Sequence, residues 1–169
     1  MIKWQFYPKS KDTPEHLKSV INKVFEVNDS KISSDKHKYD SNTVLGIIRK
    51  DLEVIGFDVE SGKNKSQKIN IPILFGQNGK LEKSFDADGW NKNSKTVIEV
   101  EAGRGVTNYQ FLKDLFQACV MQDVEYLIIC IRNDYRKLDN YGTVINFFNS
   151  LYASDRWRPP LSGIMIIGY

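Results

Sequence analysis

Two pairs of acidic residues lie close together in the middle of the chain, within residues 84–105. Asp86 and Asp88 form the first pair, and Glu99 and Glu101 form the second. Side chains two residues apart in a β-strand point to the same face, so each pair shares a face if both segments are strands. A turn between the strands would then bring four carboxylates together, which is unfavourable without a bound cation.

The oxygen chemistry of these acids suits a hard divalent cation, Mg²⁺ or Mn²⁺. Mg²⁺ in proteins commonly binds one or two carboxylates and keeps several waters. A metal bound in this way can lower the pKa of an attacking water and stabilise charge on a phosphoryl oxygen. The spacing is equally typical of a solvated hairpin, on whose face the acids would pair with lysines or arginine. The partners would be Lys83, Lys92, Lys95 or Arg104.

Cysteine and histidine chemistry is not indicated. The chain has two cysteines, Cys119 and Cys130, and two histidines, without the spacing of a zinc site. Cys119 falls in an expected helix and Cys130 in a very apolar strand, so we predict that both are buried thiols that act as small hydrophobic groups.

Length and composition are those of one globular domain. The chain has 169 residues, 41% of them hydrophobic and 27% charged, with a net charge of +3. No apolar run reaches the roughly 20 residues of a membrane span, and no secretory signal is evident. We therefore expect a cytoplasmic protein without membrane contact, a single domain over residues 1–169 with residues 1–40 as an N-terminal extension.

The hydrophobic pattern predicts strands that alternate with helices. The first helix is expected to begin with Thr13 as N-cap and Pro14 at the first helical position, and a polar loop is expected over residues 28–40. A second helix would begin at Ser41 or Asn42 and end at Gly56. The other predicted helices cover about 107–120 and 144–151, and the predicted strands cover 2–7, 57–60, 69–75, 81–90, 95–102, 124–131 and 161–168.

These elements predict an α/β fold with a mixed sheet. The nearly continuous apolar run at 124–131 is typical of a central strand that is buried on both faces. An antiparallel meander followed by a strand–helix–strand crossover would place helices on both faces of the sheet, in three αβα layers. A basic segment, residues 61–68, would form either a solvated loop or a contact to phosphates.

This order of elements resembles the core of the PD-(D/E)XK, or restriction-endonuclease-like, nucleases, a helix, a three-stranded meander, a helix and a strand. Phe85-Asp86-Ala87-Asp88-Gly89 stands at the family's Asp position, and Glu99-Val100-Glu101 stands at its Glu-x-Lys position. The resemblance covers about residues 41–131, and residues 141–168 continue it. The segments DGWN, IEVEAGRG and NYQFLKDLFQACVMQDVEYLIICIRN also resemble bacterial proteins related to type II restriction endonucleases, and in that group Asp88 is the better match.

The resemblance implies roles for individual residues. Asp88, Glu99 and Glu101 would hold Mg²⁺ or Mn²⁺, with Asp86 in reserve. Glu101 replaces the family's lysine, and Lys113 on the next helix is the expected substitute. Glu53 would be an additional metal ligand on the first core helix, or else an exposed partner of Arg49. Residues expected to contact substrate are Arg104, Asn108 and Gln117, with Gln110 beside them.

The implied function is a Mg²⁺-dependent endonuclease that hydrolyses DNA phosphodiester bonds by a metal-activated water. Two alternatives stay open: an inactive nuclease-fold module that binds DNA or protein, and a structural or inhibitory protein that dimerises through Trp4, Phe6 and Tyr7. A homodimer would also suit an enzyme that cuts both strands.

Overall fold

The computed structural model describes residues 1–103 and 105–169. Within these ranges the chain forms five α-helices and ten short strands. The helices are α1 (Glu15–Val20), α2 (Glu26–Ile32), α3 (Ser41–Val54), α4 (Gln110–Val120) and α5 (Asn140–Ser154). The strands are β1 (Lys3–Tyr7), β2 (Asp58–Val59), β3 (Ile69–Phe75), β4 (Leu81–Ala87), β5 (Gly89–Asn91), β6 (Thr96–Glu101), β7 (Tyr126–Ile131), β8 (Asp134–Tyr135), β9 (Leu138–Asp139) and β10 (Gly163–Gly168).

The main sheet is mixed, as the element order predicts. Its described strands lie in the order β1-β10-β7-β6-β5-β2. β2, β5 and β6 form an antiparallel meander, β6, β7 and β10 are parallel, and β1 closes the far edge antiparallel to β10. The parallel pairs need crossovers, which α4 and α5 supply.

Helices cover both faces of this sheet, so the α/β class with a mixed sheet is confirmed. On one face, α1, α2 and α3 pack on alternate residues of the strands, among them Ile98, Val100 and Ile128. On the other face, α4 and α5 pack on the intervening residues, among them Val97 and Ile129. Each strand side chain therefore belongs to one helical layer or the other, with period 2.

β7 is the central strand, as its apolar run predicts. Leu127, Ile128, Ile129, Cys130 and Ile131 are all fully buried, and the strand pairs with β6 on one side and β10 on the other. Cys130 is thus the expected buried thiol, whereas Cys119 on α4 is half-buried. Across residues 1–103 and 105–169, no helix combines the length and apolar character that crossing a membrane requires.

The N-terminal part differs from the prediction in two places. Residues 28–32, expected in a loop, continue the first helix, because a π-helical turn over Ile21–Phe25 joins α1 to α2 without a break. This turn carries buried Ile21, Val24 and Phe25, so core packing keeps the chain helical here. The N-cap of α1 is Pro14 rather than Thr13.

The strand predicted at 69–75 is confirmed as β3, but it lies outside the main sheet, in a separate ribbon of β3 and β4. The predicted strand at 81–90 is divided at Asp88 into β4, which belongs to the ribbon, and β5, which belongs to the main sheet. Pro72 lies at a register irregularity of this ribbon, since a proline cannot donate to a ladder.

The proposed dimer surface of Trp4, Phe6 and Tyr7 does not exist as a unit. Phe6 and Tyr7 are buried, at 3% and 1% exposure, and Trp4 is exposed at 42%. β1 instead joins the main sheet, and its first residues pair with the end of β10.

The central position of β7 gives a stability prediction. Ile128→Ala should lower the free energy of unfolding by about 2–5 kcal/mol, because it leaves a cavity between the sheet and α3. Val54→Ala, at a position that is 77% exposed, should change it by less than about 0.5 kcal/mol. Urea unfolding followed by circular dichroism measures both values, and equal stability of the two variants would contradict a β7 core.

Candidate functional site

A polar cavity of about 260 Å³ opens where the meander faces α4. Almost all of its lining is charged or polar, and it draws on β2, the ribbon, β6 and the N-terminus of α3 as well as on α4. The polar lining residues are Ser41, Glu60, Lys68, Asp86, Asp88, Glu99, Glu101, Lys113, Asp114 and Gln117. The cavity thus contains both predicted acidic pairs.

Asp88 occupies the junction between β4 and β5. Its carboxylate accepts a hydrogen bond from the backbone N–H of Val100 at 2.7 Å, which fixes the side chain against β6. The following Gly89 faces Ile98 across the ladder, and a Cβ on Gly89 would lie 2.8 Å from the Ile98 Cγ2 atom. Glycine therefore allows the close approach of β5 and β6 that brings Asp88 to the cavity.

Glu99 and Glu101 share one face of β6, as the period-2 pattern predicts. Both are half-buried and line the cavity beneath α4. Ile98 and Val100 point the other way, into the core shared with α3. The strand is parallel to β7, with Glu99 opposite Ile129 and Glu101 opposite Ile131, so apolar side chains flank the glutamates on that side.

Asp114 is a site residue that the sequence pattern did not lead us to. It lies on α4, is 2% exposed, and its Oδ2 has no hydrogen-bond partner among the described residues. Its neighbours on the helix, Phe111, Leu115 and Ala118, belong to the buried stripe. An acid inside an apolar helical stripe is the signal that would have found it, because such a group is rarely buried without a function or a partner.

Glu60 is the second acid that was not anticipated. Its backbone N–H donates to the carbonyl of Asp88 at 2.8 Å, so the meander ladder extends past β2 and carries Glu60 to the cavity. Its carboxylate pairs with the Lys68 ammonium at 2.7 Å. Lys68 belongs to the basic segment 61–68, which therefore reaches the site through one lysine.

Burial and mutual repulsion raise the pKa of the cavity carboxylates. Burial is the main cause in each case. The pKa of Asp88 is raised to about 6, with the Glu60 charge adding to the effect of burial. The pKa of Glu101 is raised to about 7, and that of Asp114 to about 8, by burial and by neighbouring carboxylates. Burial likewise raises the pKa of Glu99, with Asp88 and Asp114 as the next contributors.

The other predicted residues lie at varying distances from this cavity. Asp86 is exposed at its rim and accepts a hydrogen bond from Asn70. Lys113, exposed, and Gln117, half-buried, line the cavity from α4. Asn108 and Gln110 line an adjoining cavity instead. The prediction for Arg104 lies outside the described residues.

Glu53 is not brought to the site. It is exposed near the C-terminal end of α3, whereas Ser41 at the N-terminus of that helix lines the cavity. Twelve residues of helix separate the two, about 18 Å at roughly 1.5 Å per residue. Arg49 donates to the backbone carbonyl of Glu60.

The alternative that the site acids pair with lysines on a solvated hairpin does not hold for Lys95, because Lys95 pairs with Glu125 rather than with a site acid.

The donor set fits a hard divalent cation. The cavity offers several carboxylate oxygens, and the buried Asp114 Oδ2 lacks a hydrogen-bond partner in the described part of the chain. No three His, Cys, Asp or Glu side chains of residues 1–103 and 105–169 are grouped so closely that they form a metal site as they stand. A hard cation would therefore be held by one or two carboxylates with water in the remaining positions, which is how Mg²⁺ usually binds.

Comparisons of the chain with protein-family models, with curated proteins and with solved structures find no match.

The raised carboxyl pKa values predict how stability depends on pH. Between about pH 4 and pH 8 the folded protein binds more protons than the unfolded chain, so the free energy of unfolding falls as the pH rises through this window. Asp114→Asn removes one buried charge. It should stabilise the metal-free protein at about pH 8 by about 1–3 kcal/mol and have little effect at about pH 5.

Thermal unfolding at both pH values measures this difference. Asp58→Asn is the matched control, because Asp58 is exposed on β2 and should leave the pH dependence unchanged. If the two variants show the same dependence on pH, Asp114 does not carry the buried charge.

Proposed function

We propose that this protein is a divalent-metal-dependent endonuclease that hydrolyses DNA phosphodiester bonds. The observation that carries the proposal is a polar cavity that gathers Asp88, Glu99, Glu101 and Asp114 beside Lys113. Buried carboxylates with raised pKa values in one cleft are typical of functional sites, because a structure gains no stability from such charges alone.

The order of elements supports the same proposal. α3 precedes the antiparallel meander β2-β5-β6, which is followed by α4 and by β7 parallel to β6. This order agrees with the restriction-endonuclease-like core. Glu99 and Glu101 lie on the third meander strand, as the resemblance implies, whereas Asp88 directly precedes the second strand and the resemblance implies an Asp near the end of it.

One or two carboxylates drawn from Asp88, Glu99 and Glu101 would hold the cation, with water in its other positions and Asp114 beside them. The Val100 N–H orients the Asp88 carboxylate, and β6 fixes both glutamates on one face. Once bound, the cation would supply a water of lowered pKa and neutralise charge on the phosphoryl oxygens. Because metal ligands must be deprotonated, the raised pKa values make protons compete with the cation, so activity should rise with pH.

A lysine from α4 compensates for Glu101 at the family's lysine position. Burial and neighbouring carboxylates raise the pKa values of Asp88, Glu99, Glu101 and Asp114, and the positive charge of Lys113 offsets part of that rise in each of them. The Lys113 ammonium therefore lies within electrostatic reach of the whole group. Lys68 is engaged by Glu60 at 2.7 Å. Lys113 is therefore the better candidate to orient the attacking water or to stabilise the phosphate.

A DNA-binding module without catalysis is the second candidate. It is favoured by Glu101 in place of lysine and by the lack, among the described residues, of a preassembled metal group. Such a module would bind DNA with an affinity that does not change when Glu99 is replaced, whereas the nuclease would lose metal-dependent cleavage.

Replacement of Glu99 tests the proposed nuclease directly. Glu99→Gln should lower the rate of plasmid cleavage in Mn²⁺ by about 100-fold or more, since it removes a metal ligand worth several kcal/mol. Glu53→Gln, at an exposed position outside the cavity, should cleave at the wild-type rate. Nicking of plasmid and cleavage of a single-stranded oligonucleotide, both followed on gels, measure the rates, and wild-type protein that cuts neither substrate in Mn²⁺ or Mg²⁺ would overturn the proposal.

Replacement of Lys113 tests how the missing family lysine is compensated. Lys113→Met should lower the cleavage rate by about 10- to 100-fold and shift the acidic limb of the pH–rate profile to higher pH, because the acids lose a nearby positive charge. Lys50→Met, at an exposed position on α3, is the control. Equal rates for the two variants would exclude Lys113 as the substitute.

A further inference from the structure

A second cavity, of about 470 Å³, adjoins the carboxylate cavity and shares Ser41 and Glu101 with it. Its walls come from residues 38–40 before α3, from residues before α4, and from Arg132 and Tyr135 after β7. Its volume is that of a small-ligand pocket. A group bound in it would lie beside the proposed scissile bond.

Arg132 gives this cavity a buried positive charge. The residue is 7% exposed, and its Nη2 donates to the backbone carbonyls of Ser34 and His37 at 3.4 and 3.0 Å. Its Nε has no hydrogen-bond partner, and no acidic side chain lies within ion-pair distance, among residues 1–103 and 105–169. An arginine stays charged when buried, and this one lines a cavity without an acidic partner among the described residues, which suits an anion, above all a phosphate.

Further positive charge is carried by Lys38 and by the β8–β9 hairpin that holds Tyr135. Lys38 lines the cavity and is exposed. Arg136 and Lys137 form the tip of the β8–β9 hairpin, with φ values of 51° and 66°, and Arg136 lies over the ring of Tyr135. Two-residue hairpin turns with positive φ favour glycine and asparagine, so two cations at this tip are held there at some conformational cost.

The acids of this cavity have other partners or roles. The Asp40 carboxylate accepts a hydrogen bond from the Thr43 N–H and caps α3. Glu101 belongs to the proposed metal site. Among the described lining residues, Arg132 and Lys38 carry the positive charges that a ligand in this cavity would meet.

Aromatic rings stand beside these charges. Tyr39 is 36% exposed and stacks on His37 with ring centroids 4.8 Å apart and planes 6° apart, so its opposite face is the one that a further ring can reach. Tyr135 packs against Gly103, where a Cβ would lie 2.2 Å from the ring. A phosphate-binding arginine next to an exposed aromatic ring is the combination that holds an unstacked nucleotide.

We propose that this cavity binds one unpaired nucleotide of the strand that is cut, with its phosphate at Arg132 and Lys38 and its base on Tyr39. This inference rests on the proposed nuclease function and narrows its substrate to nucleic acid with single-stranded character beside the cleavage position. A base that is stacked and paired within a duplex cannot reach Tyr39 without leaving the helix.

The test is the affinity for a fluorescent single-stranded oligonucleotide, measured by anisotropy in Ca²⁺. Tyr39→Leu should weaken binding by about 5- to 50-fold. Lys38→Gln should also weaken binding, and it should reduce the slope of log affinity against log salt concentration by about the amount of one phosphate contact. An oligonucleotide that lacks its bases should bind wild-type protein and Tyr39→Leu equally. Duplex DNA should bind at least about 10-fold more weakly than the single strand.

The controls are Phe75→Leu and Lys80→Gln, which change an exposed aromatic residue and a lysine at the turn of the β3–β4 ribbon. Both should bind as wild type does. Arg132→Lys should also weaken binding. Because Arg132 holds the segment before α3, its result is interpreted only alongside Tyr39→Leu and Lys38→Gln, both at exposed positions.

Three outcomes would overturn the inference. In the first, Tyr39→Leu binds the single-stranded oligonucleotide as tightly as Phe75→Leu does. In the second, duplex DNA binds as tightly as the single strand. In the third, millimolar inorganic phosphate alone fills the Arg132 cavity without competing with the oligonucleotide. If any of these occurs while Glu99→Gln still abolishes cleavage, the nucleotide site fails and the nuclease stands. If wild-type protein neither binds nor cuts DNA, both proposals fail.

Discussion

Four carboxylates confined to one small cavity determine the electrostatics at the centre of the candidate site. Asp88, Glu99, Glu101 and Asp114 share a small cavity, where burial and mutual repulsion raise their pKa values. These confined charges lower the free energy of unfolding as the pH rises, whereas hydrophobic side chains of similar volume in the same place would not. The features around it reduce that cost only in part: the Val100 N–H bonded to Asp88, the Lys68 ion pair with Glu60, and the charge of Lys113. The remaining imbalance is what a divalent cation would neutralise.

The fold places these charges by simple rules of sheet geometry. Strand periodicity puts Glu99 and Glu101 beneath α4 while Ile98 and Val100 anchor the same strand in the opposite core. The crossover through α4 returns the chain over this face, so Lys113, Asp114 and Gln117 come down onto the glutamates. The buried β7 beside β6 makes the platform rigid, because it is paired on both edges and covered on both faces. Precise placement of charge needs such a platform.

Local patterns were sufficient to predict the sheet class, the central strand and the alternation along β6, because each depends on near neighbours in the sequence. They failed where long-range pairing decides. Residues 69–75 have a good strand pattern, yet nothing in it says that the partner is β4 rather than the main sheet. The same limit applies to the site. Asp88, Glu99 and Glu101 stand in one recognisable stretch, whereas Glu60 reaches the cavity through its backbone bond to Asp88, and Asp114 through the packing of α4. Glu53 is the opposite case. The resemblance implied that it is a metal ligand, but it lies near the C-terminal end of α3, whereas the N-terminal end of that helix lines the cavity.

Glu101 links the two cavities, and it stands at the position where the resemblance implies a lysine. It lines both the carboxylate cavity and the larger one beside it, so a lysine there would carry its charge to the boundary between them. With an acid at this position, positive charge comes instead from the two sides, Lys113 on α4 and Arg132 after β7. Lys113 lines the carboxylate cavity and Arg132 lines the adjoining one, so under the two proposals one cation would act on the reacting group and the other on the bound strand. A nuclease built in this way would depend on the strand filling both cavities together.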